Sequence, residues 1–474
     1  MTVSVLGGGI GGLSALYYLT LRQNATKIKL FEASSRFGGW IKSSKDDKTN
    51  VVFETGPRSL RPTGIPGLAT LQLIENLGIE DLVVPVHRSH VAAKNRMVYA
   101  KNQLCMMPNS LKGIFTTIPP FTKPLFYAGI KDLFTGKSKV PLEDESIYDF
   151  IARRFGEEIA QYAISPVICG ICAGDAKEIS VKFLFKEIFE KEQKYGGVIK
   201  GIFKSRKEKV QDANAVTANT EFTKRAKIEG WSIYRMQDGV EIIPKKIVEH
   251  LQNNENVELN LNSTCERITF KNDEVHILIN GNTQISKHLI STLPSFTLGN
   301  LLEHQHPILA KELKSIQYVD VAVINLLYNN EDLLKQKGFG VLVAPSENLG
   351  VLGVIFDSCI VDSKNNTVLT VMSGGKWFDK HYGKDSSIQN IEKVALENIS
   401  KILDIHEKPD VCLTHLNRQC IPQYIVGHHA RIERIRKYIA ENKLSLSLGG
   451  AASDGVGVND VILSSKRIAE QLVL

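Results

Sequence analysis

The sequence predicts an α/β protein in which a parallel, helix-flanked sheet is interrupted by a second, β-rich region. Three observations predict this class. An apolar run at 2–6 leads into a glycine-rich turn, β-rich runs fill the chain between 316 and 373, and an apolar run at 444–448 leads into a second glycine-rich turn. The chain therefore begins and ends with the same strand and glycine-turn pattern.

The first glycine turn is followed by a helix and a second strand. Gly7-Gly8-Gly9-Ile10-Gly11-Gly12 precedes apolar residues at helical spacing, including Leu13 and Leu16. Residues 27–31 alternate as a strand that ends on Glu32. Strand, glycine turn, helix, strand and acid together predict the opening βαβ unit of a Rossmann-type fold.

The remaining elements are predicted from periodicity and turn residues. Residues 90–205 read as mostly helical, and the Lys-rich segment 203–228 is predicted to be a mobile surface loop. Further elements are a helix at 239–251, strands at 257–261, 276–279, 288–292, 319–327, 350–356, 367–372 and 444–448, and a final helix from about Asn459.

Length and charge set limits on the function. A chain of 474 residues with 43% hydrophobic content predicts two or three globular domains. The net charge of +7 fits an anionic small molecule or an anionic membrane surface, and it equally fits a plain solvated surface. It is too small to indicate nucleic-acid binding, so we expect no nucleic-acid partner.

Cysteine and histidine usage favours neither a disulfide framework nor a metal site. The seven cysteines are irregularly spaced, and the single Cys169-x-x-Cys172 pair is interpreted as structural. The twelve histidines are scattered without metal-ligand spacing, so no metal is expected. No secretory or Arg-rich presequence is recognised, and no apolar run approaches the ~20 residues that span a bilayer, so any membrane contact is expected to be peripheral.

The glycine spacing has a specific chemical purpose. In Gly7-x-Gly9-x-x-Gly12 the first glycine allows the tight turn, the second lets the backbone approach a pyrophosphate, and the third lets the helix pack on the strand. The helix N-terminus then offers N–H groups to the phosphates. Glu32 is placed to accept hydrogen bonds from an adenosine ribose, and an acid there disfavours the 2′-phosphate of NADP.

The run Glu32-Ala33-Ser34-Ser35-Arg36-Phe37-Gly38-Gly39 resembles the signature of the FAD-containing amine oxidase superfamily. The resemblance implies one non-covalent FAD per chain, with Gly449–Asp460 as a second glycine loop along the flavin. Ser465 stands where many relatives have glycine, which puts the close packing of the final helix in question. The implied FAD contacts are Gly7, Gly8, Gly9, Ile10, Gly11, Gly12, Glu32, Ala33, Arg36, Gly38, Gly39, Trp40, Gly56, Pro57, Thr264, Gly450, Val456, Val458 and Asn459.

A narrower resemblance extends along almost the whole chain. Residues 53–62 (FETGPRSLRP), 119–126 (PPFTKPLF), 338–342 (GFGVL), 371–375 (VMSGG) and 420–424 (CIPQY) resemble, in that order, segments of the eukaryotic, mitochondrial-type protoporphyrinogen oxidases. That family implies an FAD-binding domain in three parts (1–88, 211–295, 413–474), a helical membrane-associated or substrate domain (89–210) and an inserted substrate-binding sheet domain (296–412).

The same resemblance implies the reaction and its setting. Protoporphyrinogen IX would be oxidised to protoporphyrin IX in three two-electron cycles, with FAD accepting hydride and O2 reoxidising it to give H2O2. The implied location is the intermembrane-space side of the mitochondrial inner membrane, bound peripherally. The implied assembly is a homodimer that contacts the next enzyme of haem synthesis. Neither a catalytic triad nor a certain catalytic residue is recognised.

Seven residues are candidates for substrate binding. Arg58 can engage a propionate bidentately, although a structural ion pair would explain it too. The resemblance places Phe339, Leu342 and Met372 against the tetrapyrrole, but by pattern alone they are ordinary sheet core. Gly340 allows close approach of a large ligand. The polar edge of the substrate is assigned to Asn95 and Arg96.

Some alternatives remain open from sequence. Phe115, Phe121, Phe126 and Tyr127, interleaved with Lys123, either enter a membrane interface or pack inside the protein. An amine or polyamine oxidase would share the fold, but Arg58 would repel a cationic amine and no cysteine adjoins the second glycine loop. A flavin-binding partner protein without turnover is the other alternative.

Overall fold

The structure is a computed structural model that describes residues 2–22, 26–136, 142–208, 220–360 and 365–472. The chain divides into two compact units. The first comprises the described parts of segments 1–85, 218–317 and 430–474, and the second those of 86–217 and 318–429.

The strands of the described chain are β1 (Thr2–Leu6), β2 (Lys27–Phe31), β3 (Ser43–Lys45), β4 (Val52–Glu54), β5 (Val83–His87), β6 (Met97–Ala100), β7 (Gln103–Met106), β8 (Trp231–Met236), β9 (Val257–Asn260), β10 (Cys265–Lys271), β11 (Glu274–Ile279), β12 (Asn282–Ser286), β13 (His288–Ser291), β14 (Tyr318–Tyr328), β15 (Gly340–Val343), β16 (Val351–Phe356), β17 (Thr367–Gly375), β18 (Val411–Pro422) and β19 (Leu446–Leu448).

Its helices are α1 (Ile10–Thr20), α2 (Gly64–Asn76), α3 (Val91–Lys94), α4 (Leu111–Ile114), α5 (Phe126–Phe134), α6 (Ile147–Phe155), α7 (Glu157–Ile159), α8 (Ser165–Cys172), α9 (Val181–Leu184), α10 (Lys186–Tyr195), α11 (Val198–Glu208), α12 (Glu221–Ile228), α13 (Ile242–Gln252), α14 (Ser295–Leu302), α15 (Pro307–Lys314), α16 (Phe378–Tyr382), α17 (Ile388–Leu403), α18 (His428–Glu441) and α19 (Val458–Gln471).

The first unit is organised around a five-stranded parallel sheet in the order β19-β13-β1-β2-β9. Val5 lies in register with Leu30 on one side and Ile290 on the other, and all three side chains are buried. Because the carboxyl ends of parallel strands meet at one edge, the turns after β1, β2 and β19 converge there. The Rossmann-type opening predicted from the sequence is confirmed.

The second unit contains a seven-stranded mixed sheet in the order β18-β14-β17-β16-β15-β6-β7. The β15–β6 pair is parallel and the other neighbours are antiparallel. One face carries a continuous core that includes Ile324, Phe356, Leu369, Val371 and Ile399. The predicted strands at 319–327, 350–356 and 367–372 are confirmed as β14, β16 and β17, with bounds that differ by at most three residues.

The helical part of the second unit is held together by buried charges. The Arg154 side chain on α6 is fully buried, and its Nε donates to Asp132 Oδ1 on α5 at 2.6 Å. Asp132 also accepts the N–H groups of Val198 and Ile199 at the start of α11. Glu192 on α10 lies 3.5 Å from Arg154. The buried face of α5 is therefore polar.

Two sequence predictions need correction. Residues 97–100 and 103–106, within the stretch read as helical, form β6 and β7, because β6 gains backbone partners from β15, far away in sequence. In the predicted loop at 203–228, residues up to 208 belong to α11 and 221–228 form α12, which buries Phe222 and Ala226; residues 209–219 lie outside the described ranges.

The aromatic residues at 115–127 divide between the two environments considered. Phe121 is buried at 5% exposure, so for this residue the structure favours the alternative of packing inside the protein. Phe115 and Tyr127 are exposed, and the ring of Phe126 lies between them, 5.3 Å from Phe115 and 4.2 Å from Tyr127.

The division of the chain into five segments by function, with boundaries at 88, 210, 295 and 412, stays a prediction.

Within the described ranges, no helix is both long and apolar enough to cross a bilayer. Nor do these ranges contain a group of three or more His, Cys, Asp or Glu side chains arranged to hold a metal ion.

The seven cysteines are all free thiols. Burial raises the pKa of Cys172 to about 12, and it also raises that of Cys169, so this pair is protonated and unreactive at neutral pH.

Candidate functional site

The first glycine loop lies at the carboxyl edge of the parallel sheet. Gly7 has a φ of +100°, which L side chains rarely adopt. A Cβ at Gly12 would lie 1.9 Å from the carbonyl oxygen of Gly7, so the approach of α1 to β1 requires glycine there. At Gly9, by contrast, a Cβ would meet only the Cα of Gly39, at 3.7 Å. Packing within the protein therefore explains glycine at 7 and 12 but not at 9.

The carboxylate of Glu32 closes the loop from the adjacent strand. Its Oε2 accepts the Gly8 N–H at 2.6 Å, and its Oε1 accepts the N–H and hydroxyl of Ser34 at 2.8 and 2.7 Å. These bonds hold the acid at the end of β2, beside the glycine loop. A half-buried carboxylate in this position can also accept the hydroxyls of a ribose.

Arg36 organises the turn that follows. Its guanidinium donates to the carbonyls of Phe37 and Ile41, each at 3.2 Å, and to that of Gly39. Gly38 has a φ of +110°, and its N–H bonds to Gly8 O at 2.8 Å. Arg36 therefore fixes the Gly38–Gly39 turn against the first glycine loop, a positioning role in addition to any ligand contact.

The second glycine loop packs directly on the first. A Cβ at Gly11 would lie 3.5 Å from the Cα of Gly450. Ser465 on α19 is fully buried, and its hydroxyl donates to Gly11 O at 2.8 Å. The serine at the position where many relatives have glycine thus leaves α19 closely packed, because its hydroxyl has a partner.

The junction of the two loops fits the adenine dinucleotide part and the ring of FAD. The first turn of α1 has no capping side chain and no acidic residue, and it begins beside the open position Gly9, so the positive end of the helix is suited to a phosphate. On the second loop, Asn459 Nδ2 donates to Arg61 O at 2.9 Å, while its buried Oδ1 has no hydrogen-bond partner among the described residues. An amide oxygen left in this state calls for a donor from a ligand.

The other residues predicted to contact the cofactor also lie in the first unit. Gly56 is close to Trp40: a Cβ there would lie 2.8 Å from the Trp40 carbonyl oxygen. The exposed Thr264 follows Ser263, whose N–H bonds to Glu32 O at 2.8 Å, so this segment borders the acid. Ala33 is exposed, and Ile10, Pro57, Val456 and the candidate anchor Arg58 are half-buried in the first unit. Val458 is buried.

Asn95, Arg96 and Phe339 come together in the second unit. The guanidinium of Arg96 lies over the Phe339 ring, 4.4 Å from its centroid. Asn95 accepts the Phe339 N–H through its carbonyl at 3.2 Å, and its side chain donates to Lys337 O at 2.9 Å. A cation stacked on an aromatic ring beside a polar side chain suits a ligand with an apolar body and an anionic group.

Leu342 and Met372 flank a glycine on the same sheet. Gly353 on β16 is in register with Leu342 on β15 and with Met372 on β17. Residues opposite one another in antiparallel strands share a face, so the two half-exposed apolar side chains stand on either side of a position without one. Gly340 at φ +150° has no room for a side chain, because a Cβ would lie 2.2 Å from Val354 O.

Several residues of the site were missed from sequence. The Thr292 hydroxyl, at the end of β13, donates to Leu6 O at 3.0 Å and Gly7 O at 3.2 Å, joining the strand ends beneath both loops. Asp454 accepts hydrogen bonds from Arg436, Ser464 and Ser453, at 2.7, 2.9 and 3.1 Å. Burial opposes ionisation of Asp454, but the bonds led by Arg436 lower its pKa. Gly353 could not be recognised from sequence as a residue of the site, since a glycine within a strand has many explanations.

The sequence matches the family described as flavin containing amine oxidoreductase over residues 10–473. It is 35% identical to human protoporphyrinogen oxidase over 474 residues, covering 99% of this chain and 97% of the human protein. It is 31% identical to the protoporphyrinogen oxidase of Schizosaccharomyces pombe, covering 100% of this chain and 98% of the yeast protein.

Solved structures share the fold over the full length. A protein from an Exiguobacterium species, described as a candidate protoporphyrinogen oxidase, superposes with a TM-score of 0.80 at 21% identity and covers 99% of this chain and 98% of its own. Cyclohexylamine oxidase from Brevibacterium oxydans superposes with a TM-score of 0.63 at 13% identity, covering 99% of both chains. At these identities the structures show the fold alone.

Proposed function

This chain belongs to the flavin-containing amine oxidoreductases and, within them, to the protoporphyrinogen oxidases, and from this premise we propose that it oxidises protoporphyrinogen IX to protoporphyrin IX in haem biosynthesis. The observation that carries the proposal is similarity at 35% identity over 99% of the chain to proteins of that activity. The open position at Gly9, between an uncapped helix end and Glu32, adds a site of the right chemistry for FAD.

Bound FAD supplies the two-electron oxidation of the substrate carbon, and O2 is the proposed final acceptor, giving H2O2. In this proposal the first unit binds FAD. The N–H groups at the start of α1 would hold the pyrophosphate, Glu32 would accept hydrogen bonds from the ribose, and Asn459 Oδ1 would accept a hydrogen bond from the flavin.

The substrate is a large apolar tetrapyrrole with two propionates, and the candidate residues match it by class. Arg58 and Arg96 offer guanidinium groups to carboxylates. Phe339, Leu342 and Met372 offer apolar contact. Backbone atoms of the neighbouring strand occupy the space beside Gly340 and Gly353, so packing within the sheet accounts for both glycines. The match is by chemical class, and no general base is assigned.

Arg58→Ala is expected to retain bound FAD but to raise KM for protoporphyrinogen about ten- to a hundredfold, because a charge-assisted hydrogen bond to a propionate is lost. Steady-state kinetics by porphyrin fluorescence measures the change, and flavin absorbance verifies the cofactor. Arg61→Ala, an exposed arginine three residues on, is the matched control. An unchanged KM in Arg58→Ala would remove the propionate assignment.

The overall proposal is tested by aerobic incubation of the purified protein with protoporphyrinogen IX. Porphyrin fluorescence and peroxide should rise together, well above the autoxidation blank. Parallel reactions with coproporphyrinogen III and with a polyamine test the alternative substrates. Coproporphyrinogen III is included because the coproporphyrinogen III oxidase of Bacillus subtilis is 26% identical to this chain. Bound FAD without turnover of any of the three would contradict the proposal and favour a non-catalytic flavin-binding partner.

We further propose that the second unit attaches peripherally to a membrane. Leu111, Phe115, Tyr127, Leu133 and Phe134, on and beside α4 and α5, are exposed, and we call them the exposed apolar surface. On α5 the arrangement is inverted, since Asp132 is its buried residue while Leu133 and Phe134 are 60% and 86% exposed. Lys112, Lys123 and Lys131 are exposed in the same segments and suit anionic lipid head groups.

Phe134→Glu combined with Leu133→Glu should reduce binding to vesicles of phosphatidylcholine and phosphatidylglycerol by at least about tenfold, because each large apolar side chain contributes about 1.5–3 kcal/mol when buried. Co-sedimentation measures the bound fraction. Ile285→Glu combined with Ile308→Glu, at two residues of the first unit that are 52% and 67% exposed, adds the same charge and is the matched control. Equal binding of wild type and the double variant would contradict this surface as the membrane contact.

The setting of the activity follows from the same family. We propose the intermembrane-space side of the mitochondrial inner membrane as the location, a homodimer as the assembly, and contact with the next enzyme of haem synthesis. The support is the resemblance of sequence segments to the mitochondrial-type enzymes together with the exposed apolar surface, and fractionation of mitochondria tests the location.

A further inference from the structure

The second glycine loop is backed by a carboxyl group that lies outside the proposed cofactor contacts. Asp460 follows Gly455-Val456-Gly457-Val458-Asn459 and lies in the first turn of α19. Its half-buried side chain lies against the glycines of the loop. A Cβ at Gly455 would lie 2.5 Å from the Cβ of Asp460 and 2.8 Å from its Cγ.

The contact between the Asp460 side chain and the loop is most direct at Gly457. Its φ of −75° and ψ of 150° are allowed for any residue, so backbone strain does not require glycine there. A Cβ at this position would lie 2.8 Å from Asp460 Oδ2, and the next nearest atom is the Cγ of the same side chain, at 3.7 Å. The carboxyl of Asp460 is therefore the group that a side chain at 457 would displace.

The electrostatic setting of Asp460 differs from that of Asp454 on the same loop. Asp454 is paired with Arg436 and with two serine hydroxyls. Burial raises the pKa of Asp460, and only a hydrogen bond from the Gly457 N–H opposes that rise. A half-buried carboxyl that bonds to a loop N–H is a local clamp on the backbone and not a member of a surface ion pair.

We propose that Asp460 is a positioning residue that holds the second glycine loop in the conformation that binds FAD, by bonding to the Gly457 N–H and filling the space beneath Gly455 and Gly457. The proposal rests on the proposed function only in requiring that the chain bind FAD. It does not depend on which substrate is oxidised, so it is tested by flavin release and not by turnover.

The first test is a double-mutant cycle on FAD affinity. Gly457→Ala should weaken FAD binding about tenfold or more, because the new methyl group and Oδ2 cannot both keep their places. Asp460→Ala alone should weaken binding through loss of the clamp, but by clearly less than Gly457→Ala does. The double variant Gly457→Ala/Asp460→Ala should bind within about threefold of Asp460→Ala, since the clash is gone. Affinity is measured by flavin fluorescence on release from the holoprotein.

The second test separates the shape of the side chain from its charge. Asp460→Asn keeps the size and an acceptor oxygen and should retain FAD within about threefold of wild type, whereas the longer Asp460→Glu should release it. Glu470→Gln, on the exposed side of the same helix, is the control for charge. Urea unfolding of every apoprotein shows whether a loss of affinity follows from a loss of fold.

Two results would overturn the proposal. One is wild-type FAD affinity in Asp460→Ala. The other is a double variant that releases FAD as readily as Gly457→Ala, which would place the clash elsewhere. A protein that keeps FAD through this cycle as expected but does not oxidise protoporphyrinogen would overturn the proposed substrate and leave the role of Asp460 standing.

Discussion

Gly12→Ala is expected to yield protein without bound FAD, with an affinity at least about a hundredfold below wild type. The new Cβ would lie 1.9 Å from Gly7 O and 3.2 Å from the Thr292 hydroxyl, both held at the ends of parallel strands. Neither can move away without separating α1 from the sheet, and overpacking of this kind costs about 1–3 kcal/mol in stability as well. The flavin absorbance of the purified protein and its urea unfolding curve measure the two effects.

Gly136→Ala is the control for this substitution, because a Cβ there would meet no atom within 4 Å. It should keep FAD and wild-type stability. A yellow Gly12→Ala protein with normal FAD affinity would show that the approach of α1 to β1 can relax, and would weaken the assignment of the first glycine loop as a pyrophosphate site.

Arg154→Met is expected to destabilise the protein by about 3–5 kcal/mol, because it leaves the buried carboxylate of Asp132 without its cation. Asp132 contacts α6 through Arg154 and caps α11 through Val198 and Ile199, so three helices lose a common anchor. Urea unfolding at neutral pH, followed by circular dichroism, measures the loss. Because α5 carries part of the exposed apolar surface, vesicle binding should weaken in the same variant.

Lys437→Met supplies the comparison. Its ion pair with Glu441, at 3.7 Å, is 73% and 64% exposed at the two side chains, and exposed pairs contribute about 0–1 kcal/mol. Adding Asp132→Asn to Arg154→Met should recover part of the lost stability, because the uncompensated charge is removed. A loss below about 1 kcal/mol in Arg154→Met would contradict a structural role for the buried pair.

Much of the first unit was predictable from sequence because its signals are local. The run from β1 through Gly12 to Glu32 combines strand alternation, glycine spacing and an acid within about thirty residues, as the dinucleotide motif requires. The match in residues was close: β2 was predicted at 27–31, and the structure has Lys27–Phe31. The second glycine loop was recognisable for the same reason, since its glycines are adjacent to its strand and helix.

Residue roles at the site were only partly predictable. Glu32 and Gly9 lie where the motif places them, and the contacts proposed for them remain predictions. Arg36 was predicted to line the cofactor, but the structure adds its bonds to the carbonyls of the glycine turn. The packing of Ser465 on Gly11 could not be inferred, because the two residues are 454 positions apart and their contact depends on how α19 crosses α1.

The sequence by itself determined the opening Rossmann unit, the pair of glycine loops and the family, because each depends on short-range spacing or on likeness along the whole chain. Tertiary structure alone decided that residues 97–106 are strands, that Asp132 and Arg154 are buried together, that Gly353 separates Leu342 from Met372, and that Asp460 lies beneath its loop. The physical reason is common to all four. Strand pairing, burial of charge and close backbone contact are set by partners brought together by folding, and the segments themselves do not encode where those partners will lie.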